Sequence, residues 1–150
     1  MYAMHISEIM SYDAYWRDER FRSKRPYLQG SLKQAYGDNI YYRDAATRRW
    51  VQADSHHSLV GGETNVANLE HDTGSDNVLI AEEFYYFGGS ARAIPGRFRD
   101  WNGYSICKKG PSHKCTFPDE LIEAFVAWVR GLGSCGCVGE PAQFREYRAG

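Results

Sequence analysis

No apolar run in this sequence is longer than Ala124 to Val129. A bilayer-spanning helix needs about 20 apolar residues, so no membrane helix is expected and the core must be assembled from short pieces. That run sits inside the clearest element of the chain. Pro118 suits a first helical turn, and Asp119 and Glu120 favour a helix N-terminus. Leu121, Ile122, Phe125, Val126, Trp128 and Val129 make a broad apolar face, and Gly131 suits the cap, so a helix is predicted over Pro118 to Arg130. Hydrophobic residues are 43% of the 150 and charged residues 25%, enough for a packed core in one domain, residues 1–150.

The rest of the chain is punctuated often. Tyr2 to Glu8 reads as an opening strand. Ser11 is a plausible N-cap for a helix through Phe21, with Tyr12, Tyr15, Trp16 and Phe21 as its stripe and Pro26 as its stop. Ile40 to Arg43 and Arg49 to Ala53 read as the arms of a hairpin. Asp54 to Asp76 is rich in Gly, Ser, Thr, Asn, Asp and His and shows no period; such a connection is usually functional or mobile. Asn77 to Tyr86 reads as the strongest strand, and Tyr104 to Cys107 as a short one. The sum is an α+β fold, a small mixed or antiparallel sheet with two main helices.

Net charge is −1, which excludes a histone-like polycation, but the charge is unevenly spread. Residues 1–50 hold nine Lys/Arg against six Asp/Glu, residues 51–100 three against eight, and residues 101–150 six against five. Arg17, Arg20, Arg22, Lys24 and Arg25 form a basic cluster that would suit a phosphate-bearing ligand; the ordinary reading is a solvated face paired with Asp18 and Glu19. The segment MYAMHISEIM lacks a basic region followed by an apolar core, so a cytoplasmic setting is expected.

Familiar catalytic signatures are absent: GxGxxG, the Walker loop, GxSxG and HExxH do not occur. His71-Asp72 has the form of a metal-phosphohydrolase pair, which needs a helical context, whereas the residues around it read as turn formers. The densest polar cluster is Asp54-Ser55-His56-His57-Ser58, leaving a strand and entering a loop. Asp54, His56, His57 and Ser58 are the candidate catalytic residues, since histidine serves as general acid or base near neutral pH; the alternative is a pair of exposed loop histidines beside a turn. His5-Ile6-Ser7 and His56-His57-Ser58 are two copies of His-x-Ser, a pattern that on facing strands would serve cyclic-phosphodiester cleavage; His5 reads equally well as a half-buried strand residue. Cys107, Cys115, Cys135 and Cys137, with His113, could surround zinc, but the spacing is unusual and incidental thiols are the alternative, so no metal ligand is assigned. The Lys108 to Lys114 loop, with His113 and Lys114, could hold phosphate or be a solvated loop.

Several segments resemble a known family. Tyr12-x2-Tyr15-Trp16-Arg17-Asp18-x-Arg20-Phe21, Lys24-Arg25-Pro26, Gly37-Asp38-Asn39-Ile40-Tyr41, Trp50-x-Gln52-x-Asp54-Ser55-His56-His57-Ser58 and Val78-Leu-Ile-x3-Phe84-x-Tyr86-Phe87-Gly88 are similar to the second type of nucleotide-modification-associated domain of phages and bacteria. The resemblance implies a link to DNA or nucleotide modification and to conflict with invading DNA, with no defined reaction and no known cofactor. A second similarity is at the level of fold: Gly37-Asp38 opening an aromatic strand is similar to the small barrels of the PUA, ASCH and EVE group.

A nucleotide or nucleic acid is therefore the expected partner. Trp16, Tyr41, Tyr42 and Trp50 are candidates for stacking on a base, and Arg17, Arg20, Lys24 and Arg25 for contacting phosphate. Asp38 and Asn39 should lie at the same end of the hairpin as Asp54, His56 and His57, because the start of one antiparallel arm lies beside the end of the other. Two functions compete with a nucleotide-recognition or modification role. One is a His-dependent enzyme, phosphoesterase or glycosyl-transferring, on a nucleotide substrate; the other is a protein-interaction domain.

Overall fold

The structure is a computed structural model that describes residues 2–108, 110, 113–133 and 135–140. Three residues of the Lys108 to Lys114 loop (109, 111 and 112) and the tail 141–150 lie outside the described residues. The chain divides into two compact units: residues 6–80, and residues up to His5 together with those from Ala81 onward.

In the unit of residues 6–80, Ser11 caps α1 (Tyr12–Arg17) by accepting the Ala14 N–H, as its position predicts. The helix does not continue to Phe21. Asp18 adopts an extended backbone and its side chain accepts the Arg20 N–H, so the chain restarts as a 3-10 turn over Glu19–Lys24. A four-residue helix, α2 (Leu32–Ala35), follows a Ser31/Gln34 capping box. The hairpin forms as predicted, with β3 (Tyr41–Arg43) antiparallel to β4 (Trp50–Gln52) and Tyr41 opposite Gln52. A further α-helix, α3 (Val66–Asp72), starts where Asn65 accepts the Asn68 N–H. It lies in the segment expected to be aperiodic, whose seven helical residues are too few to display a full apolar stripe.

The predicted strands at Tyr2–Glu8 and Asn77–Tyr86 each split in two. β2 (Glu8–Met10) pairs with β5 (Val78–Ile80) in one sheet, while β1 (Tyr2–His5) pairs with β6 (Glu83–Tyr86) in another. Both pairings are antiparallel, and β7 (Gly136–Cys137) extends the second sheet in parallel. The predicted strand at Tyr104–Cys107 is not formed; Tyr104 makes one isolated bridge to Trp101. The described residues thus carry four α-helices rather than two. Their sheets have three, two and two strands, an α+β fold without the closed barrel that the second similarity implied.

In the unit that begins with β1, α4 (Asp119–Arg130) buries Leu121 completely and packs Val129 against Tyr85 and Phe87, and Phe98 is fully enclosed beside Phe125 and Trp128. An ion pair ties the end of α4 to β6. Arg130 donates to both Glu83 oxygens at 2.8 and 2.7 Å, and the Tyr85 hydroxyl adds a third bond at 3.0 Å.

These bonds hold the Glu83 carboxyl down at about 2, Arg130 being the main cause and Tyr85 the next. The folded value lies below the ordinary 4.5, so ionised Glu83 favours folding above that pH, and the contribution is lost as the pH falls from 4.5 towards 2. The Tm of the wild type should drop over that interval more steeply than that of Glu83→Gln. Equal slopes would show that the pair carries no pH-dependent stability.

Candidate functional site

The Gly37-Asp38-Asn39 segment fixes the geometry of the 6–80 unit. A Cβ at Gly37 would collide with the Lys24 carbonyl oxygen and the backbone of Arg25 and Pro26, so only glycine permits this close approach. Asn39, 1% exposed, donates its amide to the carbonyls of Tyr15 (3.2 Å) and Phe21 (3.3 Å), and its N–H goes to the Lys24 carbonyl. Asp38 accepts the Tyr15 hydroxyl at 2.9 Å and pairs with Lys24 at 3.4 Å. Burial foremost, then Asp38, raises the Tyr15 phenol above its ordinary range, so it stays a donor. Asp38, Asn39 and Lys24 are therefore bound to α1 and the 3-10 turn. The hairpin register does bring residues 38–40 to the end of the sheet that β4 leaves, with the Ala53 N–H on the Ile40 carbonyl.

His57 is held there from every side. Its N–H donates to Ser55 Oγ at 3.1 Å, and its carbonyl accepts the Asn68 amide at 2.9 Å and the Gln52 amide at 3.3 Å. Ser58 Oγ accepts the Ser55 N–H and donates to the Ala53 carbonyl, so this hydroxyl shapes the loop. The imidazole is placed by α3. His57 Nδ1 lies 2.9 Å from Asp72 Oδ2, and the Tyr41 hydroxyl donates to the same oxygen at 2.6 Å while standing 3.1 Å from His57 Nδ1. Gln52 completes the set, its amide donating to the Tyr41 oxygen at 3.3 Å and its carbonyl accepting the Asn65 N–H at 2.7 Å.

The electrostatics follow from these partners. An ionised carboxylate only accepts, so the network assigns the proton of neutral His57 to Nδ1 and the lone pair to Nε2. The His57 side chain is 34% exposed, and Nε2 has no hydrogen-bond partner among the described residues. Burial foremost, then the bond to Asp72, pushes the Tyr41 phenol above its ordinary range and keeps it a donor. Tyr12, whose hydroxyl donates to the Asp72 carbonyl at 2.9 Å, is raised by burial and by Asp72 and Asp76. His56 lies tilted against Tyr36 and meets His57 edge-on at 4.3 Å; partial burial and then the neighbouring imidazole lower its pKa. The pair His57 and Asp72, braced by Tyr41, is a geometry for taking a proton at Nε2 and stabilising the resulting imidazolium.

Asp72, Gln52, Asn65 and Asn68 are not among the candidate site residues of the sequence, although Asp72 appears in the His71-Asp72 pair and Gln52 in the segment of the family resemblance. His71-Asp72 does have its helical context, since α3 ends at Asp72; His71 is exposed and Asp72 faces His57. Asn65, three residues before Asn68 and just before Val66, is the signal that would have marked the helix. Asp54 is exposed, with its carboxylate beside Gly62, and makes no hydrogen bond to His57 or Tyr41 among the described residues. Trp16 is not an open stacking platform: Tyr42 stacks on it at 4.1 Å, and the Arg25 guanidinium sits 4.2 Å from the ring centre. Trp50 has Tyr12 edge-on and Arg43 over its ring at 3.9 Å. Arg20 is bound to Glu8 and Asp18, and Arg17 lies 3.8 Å from Asp13.

His5, His113, Lys114 and the four cysteines belong to the other unit. Lys114 lies over Tyr104 and Phe117, and His5 stands opposite Glu83 on β6. The cysteines are free thiols, and no group of three or more His, Cys, Asp or Glu among the described residues is placed to hold a metal ion.

Replacing Asn39 by Ala should remove two bonds to buried or half-buried carbonyls and cost about 1–3 kcal/mol of stability. Urea unfolding monitored by tryptophan fluorescence measures it, and an unchanged midpoint would mean that water replaces the amide.

No curated protein and no solved structure matches this chain. A family model does, over residues 1–148, and its span takes in both units and every segment that carried the sequence resemblance. The chain belongs to the family described as nucleotide modification associated domain 2.

Proposed function

We propose that this chain acts on a nucleotide or nucleic acid as a general acid–base enzyme, with His57 as the proton-transferring group. The observation that carries this reading is the shared Asp72 oxygen, which fixes Nδ1 of His57 and leaves Nε2, on a side chain 34% exposed, without a partner among the described residues. In the reaction, Nε2 takes the proton of a water or substrate hydroxyl as that oxygen attacks a phosphoester phosphorus or a glycosidic carbon and the bond from that atom to the leaving oxygen or nitrogen breaks. The imidazolium, stabilised by Asp72, returns the proton to the leaving oxygen or nitrogen. Tyr41 stays protonated and holds the carboxylate in register; His56, with its lowered pKa, remains neutral beside it. Residues 1–150 work as one domain in this reading, which the family model's run over both units supports.

Recognition of a modified base without turnover, in the cytoplasm and in conflict between phage and host, is the alternative use of the same fixed donors and acceptors. A panel of mononucleotides and of modified and unmodified oligonucleotides, followed by mass spectrometry, separates the two. Conversion should occur in the wild type and fall about 10²–10⁴-fold in His57→Gln while the circular dichroism spectrum is kept. Binding without conversion would favour recognition, and wild-type rates in His57→Gln would remove the imidazole from the chemistry.

Asp72→Asn should leave an amide that can donate to Nδ1, inverting the tautomer and taking the lone pair from Nε2. Its rate should fall at least as far as about 10²-fold, with little change in KM. A rate loss confined to KM would mean that Asp72 shapes binding instead.

A further inference from the structure

Trp16, Arg17, Arg25, Tyr42 and Arg43 line an open groove of about 420 Å³ beside the turn of the hairpin, within the size range of ligand pockets. Three of these five side chains are guanidinium groups. Arg17 shares Asp13 with Arg48, at 3.8 and 3.0 Å. Arg25 and Arg43 have no carboxylate within 4.0 Å among the described residues. Asp44, also at the groove, is engaged by the Thr47 hydroxyl at 2.8 Å and by the N–H groups of Ala46 and Thr47.

What holds the two unpaired guanidiniums is stacking. Arg25 lies over Trp16 and donates to the Trp16 carbonyl, and Arg43 lies over Trp50. Stacking uses the face of the guanidinium and leaves its in-plane N–H donors at the edge. Arg25 Nε is itself buried without a partner among the described residues. Two stacked planar cations lining one groove, neither within 4.0 Å of a carboxylate among the described residues, match the oxygens of a phosphoryl group better than any apolar ligand.

We propose that this groove binds a phosphoryl group. The anion chemistry stands on the groove alone; that the phosphoryl belongs to a nucleotide or to a nucleic acid strand rests on the function proposed above. Tyr41 and Tyr42 are adjacent on β3, so their side chains leave the strand in opposite directions, one to His57 and one to the groove. The groove therefore holds a phosphate remote from the bond at His57 Nε2, as an anchoring subsite.

Calorimetric titration of the full chain at low salt tests this, with inorganic phosphate, a nucleoside 5′-monophosphate, the same nucleoside without phosphate, and a short single-stranded oligodeoxynucleotide as probes. At least one phosphate-bearing probe should bind, and the bare nucleoside should bind at least about tenfold more weakly. Arg43→Gln should weaken the phosphate-bearing probe about tenfold, while His57→Gln leaves that affinity unchanged even where it abolishes turnover. Binding of the mononucleotide points to a free nucleotide, and binding of the oligonucleotide alone to a strand backbone; both support the groove. Arg17→Gln, at an exposed position, is the second variant if Arg43→Gln does not fold, with the same direction expected. The proposal is overturned if no phosphate-bearing probe binds the wild type, if the folded arginine variant binds as the wild type does, or if the affinity is lost in His57→Gln and kept in the arginine variant.

Discussion

One oxygen of Asp72 joins three parts of the 6–80 unit: α3, on which it stands, β3 through Tyr41, and the loop after β4 through His57. The elements it joins have seven, three and no regular residues, each far below the length at which a helix or hairpin is stable alone. Their positions must come from contacts between them. Tyr41 is 3% exposed and Gln52 6%, so this part of the network is shielded from water, and there an unmet donor is costly and a met one is directional. Gln52 serves both ends of the arrangement, donating to Tyr41 and the His57 carbonyl and accepting the Asn65 N–H that precedes α3. A polar network of this kind, anchored on a buried tyrosine and glutamine, sets one geometry for the imidazole in a way that apolar packing between such short elements would not.

The features legible in the sequence were those with local causes. Ser11 as a cap, the hairpin arms and α4 each follow from neighbours within a few residues. The splits were not legible, because Asn77–Tyr86 has strand propensity throughout and the change of partner at Ala81–Glu82 is decided by which distant strand lies alongside. The site divides in the same way. His57 stood out by residue type and position after a strand, whereas Asp72 became meaningful only when α3 turned it towards a partner fifteen residues earlier. Gly37-Asp38-Asn39 was legible as a constrained turn, but its polar atoms face Tyr15, Phe21 and Lys24, which no spacing rule connects to them.

The same contrast between composition and placement governs the charge. Residues 1–50 carry an excess of only three positive charges, nine against six, and the sequence clusters them at Arg17 to Arg25. Folding redistributes them by pairing. Glu8 and Asp18 take Arg20, Glu19 takes Arg22, Asp38 takes Lys24, and Asp13 is divided between Arg17 and Arg48. Most of these pairs are exposed and add little stability each, but they cancel field. What survives at the hairpin turn is set by which arginines are stacked on tryptophan out of reach of a carboxylate: Arg25 from the basic run, and Arg43 from a strand outside it. A chain of net charge −1 thus acquires a local positive groove from the geometry of its ion pairs rather than from its total, and an anion approaching it responds to that local field over roughly a Debye length of 8–10 Å.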